Sequence, residues 1–302
     1  MQFKRIKRAV SGVLLLDKAY GISSNAALQQ VKRLFQAEKA GHTGSLDPIA
    51  TGLLPVCFGE ATKFSHYLLD ASKGYQARFK LGTTTTTGDI EGEILTQLPV
   101  TVSLDEIHRV LKKFVGPIQQ IPPMYSALKH QGKALYTYAR AGVDIHRNPR
   151  EVTIYDLTLD VFSGDELNVT VHCSKGTYIR VLGEDIGTAL GCGAHMVALR
   201  RIETGRFHLR NAINLSQLEE MTPEQRDATL LPVDCLLASL PKVILDSESA
   251  FYLQQGQSVR QAGQSEAGPV GLYGPGAVFL GLGEITDQGK IAPKRLVLAG
   301  KT

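Results

Sequence analysis

Within one short stretch the sequence changes its hydrophobic period. LNVTVHC, residues 167 to 173, alternates apolar and polar positions as a half-buried strand does. SKGTYIRVLGEDIGTAL follows directly and sets Ile179, Leu182, Ile186 and Leu190 on one helical face. The pattern predicts a strand feeding a helix that starts near Gly176, with Tyr178 and Arg180 in its first turn. A helix so joined must lay its apolar face on a sheet, which points to an α+β architecture.

Other segments agree. GVLLLD (12 to 17) reads as a short buried strand, and a helix capped by Ser24 or Asn25 follows, with Leu28, Val31, Leu34 and Phe35 on one face. GYQARFKLG (74 to 82) alternates as a strand, while TTTTTGDIEGE after it has too little apolar content to be core. SLDEIHRVLKKFVGP is a helix with Ser103 and Glu106 as a capping box. Val152, Ile154, Leu157 and Val161 bring the chain back as a strand after a basic excursion of about residues 122 to 151. From Pro241 onward short apolar pieces alternate with glycines, the texture of a small β-barrel. The expected division is therefore 1–240 and 241–302.

Charge narrows the function. The net value is only +4, but Lys4, Arg5, Lys7 and Arg8 cluster without an acid, and Lys129, Lys133, Arg140, Arg147 and Arg150 lie close together among Tyr136, Tyr138, His130 and His146. Clustered cations interleaved with aromatics suit a nucleic-acid backbone. The apolar run Val13–Leu16 is too short for a signal peptide or a membrane span, so cytoplasmic residence is expected. The four cysteines include no CxxC, and no second histidine or acid lies at ligand spacing from His42 and Asp47, so no metal is expected.

In GHTGSLDPIATGLLPV, residues 41 to 56, Asp47 stands before proline in a loop that begins where the preceding helix ends. Such an Asp is ordinary turn punctuation unless a cation holds it ionised for chemistry, and Arg180 is the candidate cation. Lys175, Gly176 and Thr177 at the strand-to-helix junction offer either an anion site or a simple cap; they lack the glycines of a phosphate loop. Tyr75, Tyr178 and Leu199 read as core residues or as walls of a pocket.

Taken together these segments resemble the bacterial tRNA pseudouridine synthases of the TruB type. GVLLLDKAYGISSN is similar to that family's opening signature, GHTGSLDPIATGLLPVCFGEATK to its catalytic motif, and GYQARFKLGTTTTTGDIEG to its second motif. QIPPMYSALKHQGKALYTYARAG is similar to a segment peculiar to this branch, CSKGTYIRVLGEDIG to the third motif, and LYGPGAVFLGLGEI through APKRLVL to a C-terminal PUA-type domain. The chain departs at Ala19, where the family usually has proline, and at Thr86 and Gly88, where acids are frequent.

The resemblance implies a pseudouridine synthase fold: a mixed, largely antiparallel sheet flanked by helices and loops, plus a small PUA-like β-barrel. It implies isomerisation of the uridine at position 55 in the T loop of tRNA, by base flipping and without a cofactor. Asp47 would be the nucleophile, Arg180 its ion-pair partner, and Tyr75 a base-stacking residue that also assists proton removal. Tyr178 and Leu199 would complete the pocket, and His42 would touch the RNA. Lys63, Lys129, Lys133, Arg140, Arg147, Arg150 and Lys175 are the expected RNA contacts. The T stem-loop is the expected partner of a monomer with no obligate protein partner. A binding module without chemistry would need the basic segments and the barrel but neither Asp47 nor Arg180.

Overall fold

The computed structural model describes residues 7–260 and 266–298; Lys4 and Arg5 of the basic N-terminal run lie outside them. The chain packs as two compact units, one of Met1–Pro48, Leu53–Asp70 and Asn211–Thr302 and one of Ile49–Gly52 and Ala71–Arg210.

In chain order the first unit opens with β1 (Gly12–Lys18), α1 (Ser24–Leu34), β2 (Ala40–His42), β3 (Ala50–Phe58) and α2 (His66–Leu69). Residues 50–52 of β3 belong to the second unit. That unit continues with β4 (Lys73–Leu81), β5 (Thr83–Thr85), β6 (Ile94–Gln97), α3 (Leu104–Lys113), β7 (Gly116–Gln120), β8 (Lys129–His130), β9 (Lys133–Ala134) and α4 (Leu135–Arg140). It ends with β10 (Arg150–Ser163), β11 (Glu166–Cys173), α5 (Ile179–Ala189), β12 (Ala194–Thr204) and β13 (Phe207–His208). The chain then returns to the first unit with β14 (Ile213–Asn214), α6 (Leu215–Glu220), α7 (Pro223–Ala228), β15 (Lys242–Ile244), α8 (Ser247–Gln254), β16 (Val259–Arg260), β17 (Gly268–Tyr273), β18 (Phe279–Ile285) and β19 (Lys290–Leu296).

The second unit is built on the order β3-β12-β4-β11-β10-β7, in which only the β3–β12 pair is parallel. In the first unit β1 lies between β14 and β3, β2 pairs antiparallel with β3, and α1 buries Leu28 and Val31 against them, with the rings of Phe35 and Phe58 4.9 Å apart. Strands β15-β17-β18-β19-β16 form a separate curled sheet around Leu253, Leu272 and Ile291. A mixed, largely antiparallel α+β fold with a small curled C-terminal β-sheet is thus what the chain adopts.

The capping box at Ser103 and Glu106 is present, and β1, β4, β10 and β11 fall where the periodicity put them. Four local expectations are corrected. Helix α1 is capped by Ser23, which accepts from the Ala26 amide, because the Ser24 hydroxyl is used elsewhere. Helix α5 begins at Ile179, with Tyr178 as its N-cap residue. The loop that carries Asp47 joins β2 to β3, since 40–42 pairs with 56–58 and does not extend the preceding helix. The threonine-rich run is not a solvated loop: Thr83, Thr85 and Asp89 are buried. Its polarity is absorbed internally, with Thr85 Oγ1 donating to the Asp89 carbonyl at 2.7 Å and Thr87 Oγ1 to Asp89 Oδ1 at 2.6 Å.

All four thiols are free, and Cys57, Cys173 and Cys192 are buried while Cys235 is half-buried. Burial pushes the Cys57 thiol up to about 12 and the Cys173 thiol up to about 11. Such thiols are inert as nucleophiles near neutral pH. A thiol-reactive dye at pH 7.5 is therefore expected to label Cys235 first, and Cys57 and Cys173 only after unfolding, as peptide mapping of the labelled sites would show.

Candidate active site

Asp47 is exposed, but its neighbours Leu46 and Ile49 are buried and its loop is clamped from both sides. Ser24, buried in the first turn of α1, accepts from the Leu46 amide at 2.7 Å and donates to the Leu46 carbonyl at 3.0 Å. On the other side, the Pro48 carbonyl accepts from the Gly21 amide at 2.8 Å, with the Lys18 ammonium at 3.4 Å. Lys18 is 1% exposed and closes the same turn by donating to the carbonyls of Ala19 (2.9 Å) and Ile22 (2.7 Å). These bonds hold the turn at Ala19. Thr43 ties the start of the loop, its amide donating to the Pro55 carbonyl at 3.1 Å. A carboxylate on a loop fixed in this way is positioned before any substrate arrives, which is what a nucleophile or base requires. Ser24→Ala removes two of these bonds at once. It is expected to lower kcat about tenfold, with the KM for RNA unchanged, in steady-state kinetics.

In the second unit the strand register collects the other predicted residues. Leu199 on β12 lies opposite Ala77 on β4 and Ala50 on β3, and Tyr75 lies opposite Arg201 and Val171. Directly opposed residues share a face and so do residues two apart along a strand, so Tyr75 and Leu199 are diagonal neighbours on one face, within reach of an aromatic side chain. Both are 9% exposed. Asp47 precedes Ala50 by three residues in the chain. A Cβ on Gly52 would stand 2.3 Å from the Arg201 carbonyl, so a glycine is required where β3 meets β12.

Helix α5 packs on that same face. A Cβ on Gly183 would fall 2.3 Å from the ring of Phe79, which shares its face with Tyr75 and Ala77. Arg180 is one turn before Gly183, on the same side of the helix. Its guanidinium is buried and bonded to Asp89 Oδ2 (3.0 Å) and to the carbonyls of Thr87 (3.1 Å) and Tyr125 (2.7 Å). Asp89 is itself held by the Glu91 amide and by Thr87. Burial raises the Glu184 carboxyl above the usual range, partly offset by Arg180 and reinforced by Asp185 and Asp89. Gly88 sits at φ +72°, where any side chain would be strained, and the Glu184 carboxyl lies 2.7–2.9 Å from where its Cβ would stand.

Tyr178 is half-buried and held by its backbone. Its amide donates to Gln120 Oε1 at 3.0 Å and its carbonyl accepts from Gln120 Nε2 at 3.2 Å. The Tyr178 amide is therefore not offered to an anion, which weakens the anion-site reading of residues 175–177. Lys175 is exposed at that junction. His42 is half-buried on β2 opposite Val56, and the described residues hold no group of three or more metal-ligating side chains.

The basic residues divide into two sets. Lys129, Lys133, Arg140 and Arg150 are exposed, with Arg140 lying 5.5 Å from the centroid of the Tyr136 ring. Arg147 and Lys63 are engaged within the fold. Arg147 donates to the Pro122 carbonyl at 3.3 Å and to Asp144 at 3.1 Å, closing the base of the basic excursion. Lys63 pairs with Glu60 at 2.6 Å and donates to the Leu296 carbonyl at 2.9 Å, while Glu60 accepts from the Leu298 amide. Asp89, Gln120 and Lys18 are not singled out by the sequence, and Ser24 only as a helix cap. The signal for Asp89 was its place in a run of threonines that could turn their hydroxyls inward.

The pattern of residues now meets its relatives. The description "TruB family pseudouridylate synthase (N terminal domain)" matches residues 32–179, "tRNA pseudouridylate synthase B C-terminal domain" matches 180–251 and "Pseudouridine synthase II TruB, C-terminal" matches 241–297. A protein of Methylobacillus flagellatus named tRNA pseudouridine synthase B is 61% identical over 98% of both chains. The chain belongs to the TruB family of pseudouridine synthases. A second TruB relative of the same name, from Nitrosospira multiformis, is 55% identical over 96% of both chains. The solved structure of a Cbf5-Nop10-Gar1 complex contains a chain of the same fold, with a TM-score of 0.72 and 28% identity over 96% of this chain and 85% of that one. As a TruB enzyme the chain is an isomerase that converts uridine to pseudouridine, and Asp47, Tyr75, Tyr178, Arg180 and Leu199 lie in its matched segments.

Proposed function

We propose that this enzyme isomerises the uridine at position 55 in the T loop of tRNA, acting as a monomer in the cytoplasm without an obligate protein partner. No helix among the described residues is long and apolar enough to cross a membrane. The observation that carries the reading is Asp47: an exposed carboxylate on a loop hydrogen-bonded on both sides, three residues before the strand that carries Leu199's neighbour.

The reaction breaks the bond from C1' to N1 and forms one from C1' to C5 of the same base. N1 gains a proton and C5 loses one, so atoms and oxidation state balance and the chemistry calls for no cofactor. Asp47 serves the sugar, by attack at C1' or by proton removal at C2', two roles that need a carboxylate in nearly the same place. Arg180, presented by Asp89, is its counter-charge. Tyr75 stacks on the extruded uracil and assists removal of the C5 proton, and Tyr178 and Leu199 exclude water while the base turns. His42 touches the RNA. Lys63, Lys129, Lys133, Arg140, Arg147, Arg150 and Lys175 meet phosphates, Lys63 and Arg147 from positions tied to the fold.

The test is to incubate an unmodified tRNA transcript with the enzyme and no cofactor, then map pseudouridine by carbodiimide adducts and primer extension. A single stop at position 55 is expected. Stops elsewhere, or none, would overturn the assignment.

A further inference from the structure

Tyr20 has no part in the mechanism above, and its mounting is unusual. It is 65% exposed, the highest value among the exposed large apolar side chains of the described residues. A single exposed aromatic needs no explanation in itself. Tyr20, however, projects from a turn that is bonded on both sides of it. The buried Lys18 ammonium donates to the carbonyls of Ala19 and Ile22, and the amide of Gly21, at φ +82°, donates to the carbonyl of Pro48 beside Asp47. The backbone under the ring is therefore part of the same clamp that fixes the catalytic loop. Unlike Tyr75 at 9% exposure, Tyr20 stands outside the core and keeps most of its surface open to a ligand.

We infer that Tyr20 is a stacking platform for an unpaired base of the RNA loop, other than the target uridine. The inference rests on the proposed function, because it takes the substrate to be a folded RNA loop. Three physical points carry it. A ring on a pre-formed turn loses little conformational freedom when a base settles on it. Extruding one nucleotide leaves its neighbours with an open face, and aromatic side chains accept such faces whatever the base. The hydrogen bond from the Gly21 amide ties the ring's turn to the residue after Asp47, so a base held at Tyr20 fixes the RNA against the loop that must reach its sugar. The bound partner is thus a nucleobase, recognised by its π-face.

The chain contains no tryptophan, so Tyr20→Trp introduces a single one. Titrated with a T-arm hairpin RNA, its fluorescence is expected to be quenched saturably as a base stacks on the indole. Tyr20→Ala is expected to raise the KM for the same RNA about tenfold, with kcat and the thermal midpoint at parental values, and Tyr20→Phe to restore KM. An unchanged KM for Tyr20→Ala, or tryptophan emission unaltered at saturating RNA, would overturn the inference. Failure of the parent enzyme to convert the RNA would strike the proposed function instead, and quenching would still report on Tyr20.

Discussion

Asp89→Asn is expected to lower kcat about a hundredfold while the KM for T-arm RNA stays within about threefold of the parent. Asp89 and Arg180 are 3% and 6% exposed, and their ion pair at 3.0 Å is a buried charge–charge contact of the second unit. Asparagine keeps an acceptor near the guanidinium but removes its countercharge. Breaking a buried pair from one side costs about 3 kcal/mol, because the remaining charge loses one of its compensating partners in a desolvated site. For a chain of this size that lowers the thermal midpoint by about 6–10 °C. Part of the loss is offset from within the site: Asp89 helps to raise the Glu184 carboxyl, and without it Glu184 ionises more readily beside Arg180. The kinetic effect exceeds the loss of folded protein, since Arg180 keeps its bonds to Thr87 and Tyr125 but loses the group that sets its direction. Calorimetry and steady-state kinetics on one preparation separate the two. A variant with parental kcat would remove Asp89 from the positioning of Arg180.

The parts of this fold legible in the sequence are those that local periodicity controls. β4 and β11 alternate, α5 repeats every three to four residues, and the Ser103 capping box satisfies its own amides within one turn. What the sequence could not display are side chains spent at a distance. Ser24 looks like a helix cap, but its hydroxyl is bonded 22 residues away, which passes the cap to Ser23. The threonine run looks solvated because the guanidinium that makes it worth burying lies 91 residues downstream of Asp89. Arg147 stands out in the sequence only as part of a cation cluster, and nothing local announces the Pro122 carbonyl that engages it, nor the Leu296 carbonyl that engages Lys63. Asp47 itself was legible as a candidate. Its pre-organisation was not, since the bonds that clamp it arrive from residues 21 and 24.

That clamped carboxylate is the centre of the account. Asp47→Asn preserves size and leaves the bonds at Leu46 and Pro48 intact, because these use the backbone of its neighbours. Folding and RNA affinity are therefore expected to stay at parental values. An amide neither attacks C1' nor accepts a proton from C2', so turnover is expected to fall by about 10⁴-fold or more, as when an enzyme loses a group that carries the chemistry. The direct measurement uses a T-arm RNA tritiated at uridine C5, incubated with excess enzyme and no cofactor, and counts the label released to water. The parent is expected to release one tritium per RNA and Asp47→Asn none above background, with equal RNA binding by both. Equal release from the two proteins would contradict the assignment of Asp47 to the chemistry.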